Sequence, residues 1–219
     1  MFEELYRHRF DEKELRQKIA IWKILCSYFF QRYISKGHSV LDIGAGYCEF
    51  INNIRCAERY AVDIDKDIYK YANPEVKTFN CSCTNLSFMP DNYIDVVFLS
   101  NLLEHLKTKD EILKTLSEGF RVLKQGGVII ILGPNIRYCH KKYWDFFDHC
   151  IPLSDKSLIE ALEISGFKTE RVLPKFLLYT TKNSLAFTRN QFFVRVYLLM
   201  PFIWRFFGKQ MFILARKPA

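Results

Sequence analysis

Two glycines spaced two apart, Gly44 and Gly46, follow the short apolar run Ser39-Val-Leu-Asp-Ile43, with Asp42 before them and Glu49 after them. Glycine tolerates positive φ and has no Cβ, so such a turn lets a ligand approach the backbone closely. The acids decide which ligand suits it. A dinucleotide fingerprint wants a third glycine where Glu49 stands, and a carboxylate there would repel a pyrophosphate docking on a helix N-terminus. Asp42 beside the glycines suits a cation instead, such as a sulfonium or an α-amino group. A second group of residues has the chemistry for proton transfer. His105 lies in Leu102-Leu-Glu-His105, and His140, Asp148 and His149 surround or lie within Lys142-Tyr-Trp-Asp-Phe-Phe-Asp-His-Cys-Ile-Pro152. An imidazole beside a carboxylate is a general base, needed when an attacking hydroxyl must lose its proton.

These residues need elements to position them. Apolar residues from Leu15 to Tyr33 recur at spacings of three and four, which predicts an amphipathic helix over 11–35 ended by Gly37. The period then changes. Strands are expected at 39–43, 59–64, 76–80, 93–99 and 128–132, with helices at 49–55, 66–72 and 109–123 between them and a stop at Gln125-Gly-Gly127. Such alternation predicts an α/β fold, doubly wound around a mostly parallel sheet. Ser154 caps a further helix ending at Gly166, and 167–173 and 210–215 read as the last strands. In this architecture ligands sit beyond the carboxyl ends of the strands, where Gly44, Gly46, His105 and His149 all fall.

Composition bounds the partners. The 219 residues carry 32 Lys+Arg against 24 Asp+Glu, a formal net charge of +8. Residues 171–219 hold nine basic residues and no acid, leaving 23 basic against 24 acidic residues in positions 1–170. Any argument for an anionic partner therefore rests on the C-terminal quarter alone. There Phe192 to Phe207 is intensely apolar but broken by Arg195, Pro201 and Arg205, so two short helices hinged near Pro201 are expected rather than a membrane span. Peripheral membrane contact through 188–209 is one reading of that stretch, and a packed insertion is the other. Nucleic acid is disfavoured, because the basic residues are spread among large aliphatics. Seven scattered cysteines with no CxxC pair point to a reduced, cytoplasmic setting, extended to the inner membrane face if the contact is made, and no metal site is expected.

The motifs Val40-Leu-Asp-Ile-Gly-Ala-Gly-Tyr-Cys48, Ala61-Val-Asp-Ile-Asp65, and the stretches from Leu86 to Leu106 and from Leu113 to Asn135 resemble, in order and spacing, the class I S-adenosylmethionine-dependent methyltransferases. The resemblance covers about residues 38–135. It implies a seven-stranded Rossmann-like sheet of order 3-2-1-4-5-7-6, with S-adenosylmethionine as cofactor and S-adenosylhomocysteine as product. The cofactor-binding set it implies is Asp42, Gly44, Ala45, Gly46, Asp63, Ile64, Ser82, Cys83 and Asn101, with Asp63 accepting from both ribose hydroxyls. Two positions depart from the family pattern: Cys48 replaces a third glycine, and Ser82 or Cys83 stands where an acid meets the adenine amino group. The candidate catalytic residues are His149, Asp148 and His105.

On this reading residues 1–219 form one methyltransferase domain. It has an N-terminal helical lid (1–37), a cofactor core (38–135), an acceptor-side region (136–174), a basic aromatic helical insertion (175–208) and a last strand (209–219). The tail from Tyr138 to Lys217 is similar to methyltransferases of bacterial surface-glycan and lipid-linked saccharide pathways, which implies O-methylation of a saccharide or other small molecule. The rival readings are a non-catalytic nucleotide-binding or scaffold protein of the same fold, and an RNA methyltransferase.

Overall fold

A computed structural model describes residues 12–179 and 190–219. In chain order its elements are α1 (Glu12–Tyr28), β1 (Ser39–Ile43), β2 (Glu58–Asp63), α2 (Ile68–Tyr71), β3 (Val76–Asn80), β4 (Ile94–Ser100), α3 (Lys109–Val122), β5 (Leu123–Pro134), α4 (Ile136–Tyr143), α5 (Asp155–Ile164), β6 (Lys168–Leu177), α6 (Gln191–Leu199), α7 (Pro201–Phe207) and β7 (Gln210–Arg216). One seven-stranded sheet runs β3-β2-β1-β4-β5-β7-β6, as the resemblance implies. The first five strands pair in parallel, and β7 lies antiparallel between β5 and β6.

The central strands bury both faces, which their continuous apolar runs require. On one face Trp22, Phe29 and Phe30 from α1 and its extension meet Phe98, Phe176 and Phe212. On the other, Leu116 from α3 and Leu158 and Leu162 from α5 cover Ile129, Ile131 and Ile213. The first face is an aromatic stack, with Phe50 parallel to Phe98 at 3.6 Å and Phe29 to Phe176 at 4.1 Å between ring centres. Helix α3 starts in a capping box, in which Thr108 accepts from the Glu111 amide and Glu111 accepts back from the Thr108 amide. A second box at Ser154 and Ser157 starts α5.

Three expectations change. The helix expected over 11–35 is α1 followed, after Phe29, by a single tight turn at Phe30–Arg32. Residues 49–55 form turns rather than a helix: the Asn53 backbone amide donates to the Phe50 carbonyl at 3.0 Å, while Asn53 Nδ2 takes the Glu49 carbonyl at 2.8 Å that a helix would give to that amide. Gln125-Gly-Gly127, expected to stop the helix ahead of a strand at 128–132, does not precede that strand. It lies inside β5, where the pairing with β4 shifts register between Ile94 and Val96, and Gly126 takes φ of 75° to absorb the irregularity. Residues 1–11 of the expected N-terminal helical lid lie outside the described residues. Residues 191–207 do form two short helices meeting at Pro201, and no helix among the described residues is long and apolar enough to cross a membrane.

Candidate functional site

The carboxyl ends of β1, β2 and β4 converge on the glycine turn. The Gly44 and Ala45 amides donate to the Val62 carbonyl at 2.9 and 3.1 Å, which ties the turn to β2. Gly44 (φ 72°) lies so close to Leu102 that a Cβ would come within 2.8 Å of its Cδ1. At Gly46 (φ 51°) a Cβ would meet nothing within 4 Å. The first glycine is thus required by packing and the second leaves open space above the backbone. Cys48, at the third glycine position, is held at φ 58° with its side chain fully buried.

Asp63 ends β2 and orders this turn. Its Oδ2 accepts from the Gly46 amide at 2.7 Å and its Oδ1 from the Asp65 amide at 2.8 Å. Burial pushes its carboxyl above the ordinary range, against those amides, which favour the charged form. Asp42 is fully buried in β1, and burial, then the charges of Glu49 and Asp63, hold its carboxyl well above the usual value. Glu49 pairs with Lys18 Nζ at 2.8 Å. Asp42, Glu49 and Asp63 form a floor of carboxyl groups that a cationic ligand would help to ionise and that opposes a phosphate. Beyond it Ile64 stands 79% exposed although aliphatic. Ser82 turns its hydroxyl onto its own loop, 2.8 Å from Thr84 Oγ1, and Thr115 Oγ1 donates to Cys83 Sγ at 3.4 Å.

Asn101 follows β4 with φ of 49° and borders a cavity of about 180 Å³. Lys18, Ile21, Trp22 and Leu25 from α1, Leu132 from β5, Leu177 and Leu178 at the end of β6, Val194 and Tyr197 from α6 and Gln210 from β7 complete its lining. Gln210 Nε2 donates to the Leu178 carbonyl at 3.1 Å, while its buried Oε1 has no hydrogen-bond partner among the described residues. Sequence reasoning named neither Lys18 nor Gln210, which no local motif marks.

Leu132 lines both this cavity and a small crevice against Glu104, and the candidate base residues meet around Glu104. The Cys150 amide donates to the Glu104 carbonyl at 2.8 Å and the Tyr143 hydroxyl to the Ile151 carbonyl at 2.5 Å, so the 144–150 loop is fastened over the segment after β4. That brings Asp148 Oδ2 within 3.2 Å of His105 Nδ1, with the Asp148 carbonyl at 3.1 Å from the same nitrogen. Both neighbours are acceptors, so Nδ1 carries the proton and Nε2 is the basic nitrogen of the neutral ring. Burial alone would push His105 down, but the hydrogen bond to Asp148 and the charges of Glu104 and Asp148 hold its pKa above the ordinary value. His149 packs between Phe146, Tyr143 and His105, with ring centres 5.0, 4.5 and 5.0 Å away. Glu104 is fully buried and pushed up by that burial. Its carboxylate and nitrogens of His105 and His149 lie within 4.8 Å of one another, a grouping of distant residues that cysteine spacing could not reveal. His140 lies apart on exposed α4.

A methyltransferase domain family matches residues 41–131, from β1 to β5. An uncharacterized protein of Methanocaldococcus jannaschii, MJ1123, is 30% identical over 175 residues, 76% of this chain and 79% of that one. A protein of Mycolicibacterium smegmatis described as a probable S-adenosylmethionine-dependent methyltransferase is 30% identical over 147 residues, 64% of this chain and 56% of its own. Among solved structures, a SAM-dependent methyltransferase from Archaeoglobus fulgidus superposes with a TM-score of 0.63 at 24% identity, over 86% of this chain and 90% of that one. The chain belongs to the S-adenosylmethionine-dependent methyltransferases, and S-adenosylmethionine is its cofactor. The open space at Gly46, the floor of carboxyl groups and the exposed Ile64 all fit that cofactor, whose sulfonium and ammonium are cationic and whose adenine presents a flat apolar face.

Proposed function

We propose that this methyltransferase methylates a hydroxyl oxygen of a saccharide or other small molecule, lipid-linked acceptors included, working at the inner membrane face. The observation that carries this reading is the Asp148–His105 pair at 3.2 Å on the segments that follow β4 and α4, with the cavity of about 180 Å³ taken as the acceptor site. Attack by a hydroxyl requires a base, whereas a neutral amine or a thiolate can attack without one. The partnerless Oε1 of Gln210 supports it, since a buried acceptor left unpaired costs about 1–3 kcal/mol and a hydroxyl donor would satisfy it. The similarity of the Tyr138–Lys217 tail to saccharide-pathway methyltransferases points the same way.

The cofactor supplies an electrophilic methyl group on sulfur. In this proposal Gly44, Ala45 and Gly46 carry the backbone against which it lies, and Asp42 and Asn101 face its amino-acid end. Asp63 accepts from the ribose hydroxyls through its remaining lone pairs, Ile64 packs on the adenine face, and the Ser82 and Cys83 backbone meets the adenine edge. The chain's own task is alignment and removal of one proton. Asp148 holds the His105 Nδ1 proton, so Nε2 would take the acceptor hydroxyl's proton as the methyl passes from sulfur to that oxygen, with S-adenosylhomocysteine as the leaving group. His149 packs against His105 and fixes its ring.

The test is methyl transfer from labelled S-adenosylmethionine to a panel of methyl glycosides. Turnover is expected to fall by roughly 10²-fold in His105→Gln and in His149→Ala, the scale of general-base loss, with cofactor affinity by calorimetry unchanged. Wild-type turnover should rise with pH through the elevated His105 pKa, because only the neutral ring accepts a proton. Unaltered turnover in both variants on an active acceptor would overturn the base assignment.

A further inference from the structure

Helices α6 and α7 have two unlike faces. The inner face is pinned to the sheet: Tyr197 Oη donates to the Phe176 carbonyl at 2.6 Å, Trp204 Nε1 to the Tyr197 carbonyl at 2.8 Å, and Lys175 Nζ to the Arg205 carbonyl at 2.9 Å. Tyr197, Leu198 and Trp204 are buried there. The outer face carries Phe192, Phe193, Leu199, Phe202, Phe206 and Phe207, all exposed, with Phe206 at 76%. Arg195 and Arg205 stand exposed among them, and no acid occurs anywhere from 171 to 219. So many exposed aromatics on one short hairpin mark an interaction surface. At nine and seven residues the helices are too short to span a bilayer but long enough to lie in its plane.

We propose that the outer face of α6 and α7 docks on the surface of an anionic lipid bilayer, so that the roof of the acceptor cavity is set against the membrane. This deepens the lipid-linked part of the proposed function and rests on it for its purpose, though its test does not. Charge complementarity selects the occupant: arginines in a stretch of sequence without acids attract anionic headgroups, while the phenylalanines enter the acyl boundary. A second copy of this chain is the poorer fit, since a two-fold contact through this face would bring the same arginines together. Val194 and Tyr197 of α6 line the cavity while Phe192, Phe193, Arg195 and Leu199 of the same helix point away from the core. One helix therefore separates the cavity from the lipid, and a saccharide on a lipid carrier would reach the cavity from the bilayer side.

The full chain is sedimented with vesicles of phosphatidylglycerol and phosphatidylethanolamine, and separately with phosphatidylcholine alone. Binding to the anionic vesicles, weakened by salt and absent from phosphatidylcholine, is expected. In the double variant Phe206→Asp/Phe207→Asp the partition should fall about tenfold or more, with calorimetric binding of S-adenosylmethionine retained as the check on folding. No sedimentation with anionic vesicles at low salt would overturn the proposal, as would undiminished binding by the folded double variant. A wild-type dimer that this variant dissolves, without vesicle binding, would assign the face to a second copy instead. Methylation of soluble glycosides without vesicle binding would remove the docking proposal and leave the methyl-transfer reading standing.

Discussion

Asp63 and Ile64 are neighbours with opposite structural attachments, and that difference separates binding from folding. Asp63 braces the glycine turn through the Gly46 and Asp65 amides, so any change to it disturbs both the loop and the ligand. Ile64 is 79% exposed at the strand end and contributes little to the core. If it packs on adenine, Ile64→Ser should weaken S-adenosylmethionine by roughly five- to tenfold, the value of covering most of one aliphatic side chain, while the melting temperature of the cofactor-free protein stays put. Calorimetry and a thermal melt on the same sample decide it, and an unchanged dissociation constant would remove Ile64 from the site. Residue-level chemistry of this kind is partly legible in the sequence. Asp42, Gly44, Gly46 and Asp63 announce themselves by their places at strand ends. The Asp148–His105 contact does not, because it joins residues 43 apart and depends on the Cys150 and Tyr143 hydrogen bonds that fasten the loop. Lys18 and Gln210 lie at opposite ends of the chain and meet only because α1 and β7 border one cavity.

At the scale of elements, the strands could be read from the sequence because their apolar runs are continuous and short, and α3 and α5 because Thr108 and Ser154 open capping boxes. Residues 49–55 look helical by composition but form turns, in which the Asn53 side chain takes the Glu49 carbonyl that a helix would give to its amide. The β1-to-β2 connection is therefore a tight non-helical loop, and its glycines carry most of its conformational demand. They should respond differently to a methyl group. Gly44→Ala meets both a left-handed backbone and Leu102, so it should lower stability by about 2 kcal/mol or more. Gly46→Ala meets the backbone penalty alone, about 1 kcal/mol, or roughly 2–4 °C in melting temperature for a domain of this size. Its Cβ would instead fill the space above the turn, and cofactor affinity should drop by about tenfold or more. A Gly46→Ala protein that binds S-adenosylmethionine normally would show that the cofactor does not lie against this turn.

Across the whole molecule the charge is divided by function. The surplus of basic residues belongs to the last quarter of the chain, while the glycine turn rests on buried carboxylates. Burial raises the folded-state pKa of Asp42 and Asp63 above the ordinary carboxylate values of about 4. A group with an elevated folded pKa gives its full contribution to stability below its unfolded pKa and loses it as pH rises through the folded one. The cofactor-free protein therefore loses stability from these groups as pH climbs from about 4 through the elevated values. A bound cation reverses this loss by favouring the ionised carboxylates, so cofactor affinity must rise with pH over the same interval. The difference in melting temperature with and without S-adenosylmethionine should accordingly be larger at about pH 7.5 than at about pH 5. Asp42→Asn removes the most deeply buried of these charges, so it should raise the melting temperature of the free protein at neutral pH while weakening the cofactor and flattening the pH dependence of its stabilisation. Differential scanning calorimetry of both proteins, with and without cofactor at the two pH values, makes the comparison. A cofactor-induced shift that is the same at both pH values would mean that the buried carboxylates do not face the cation.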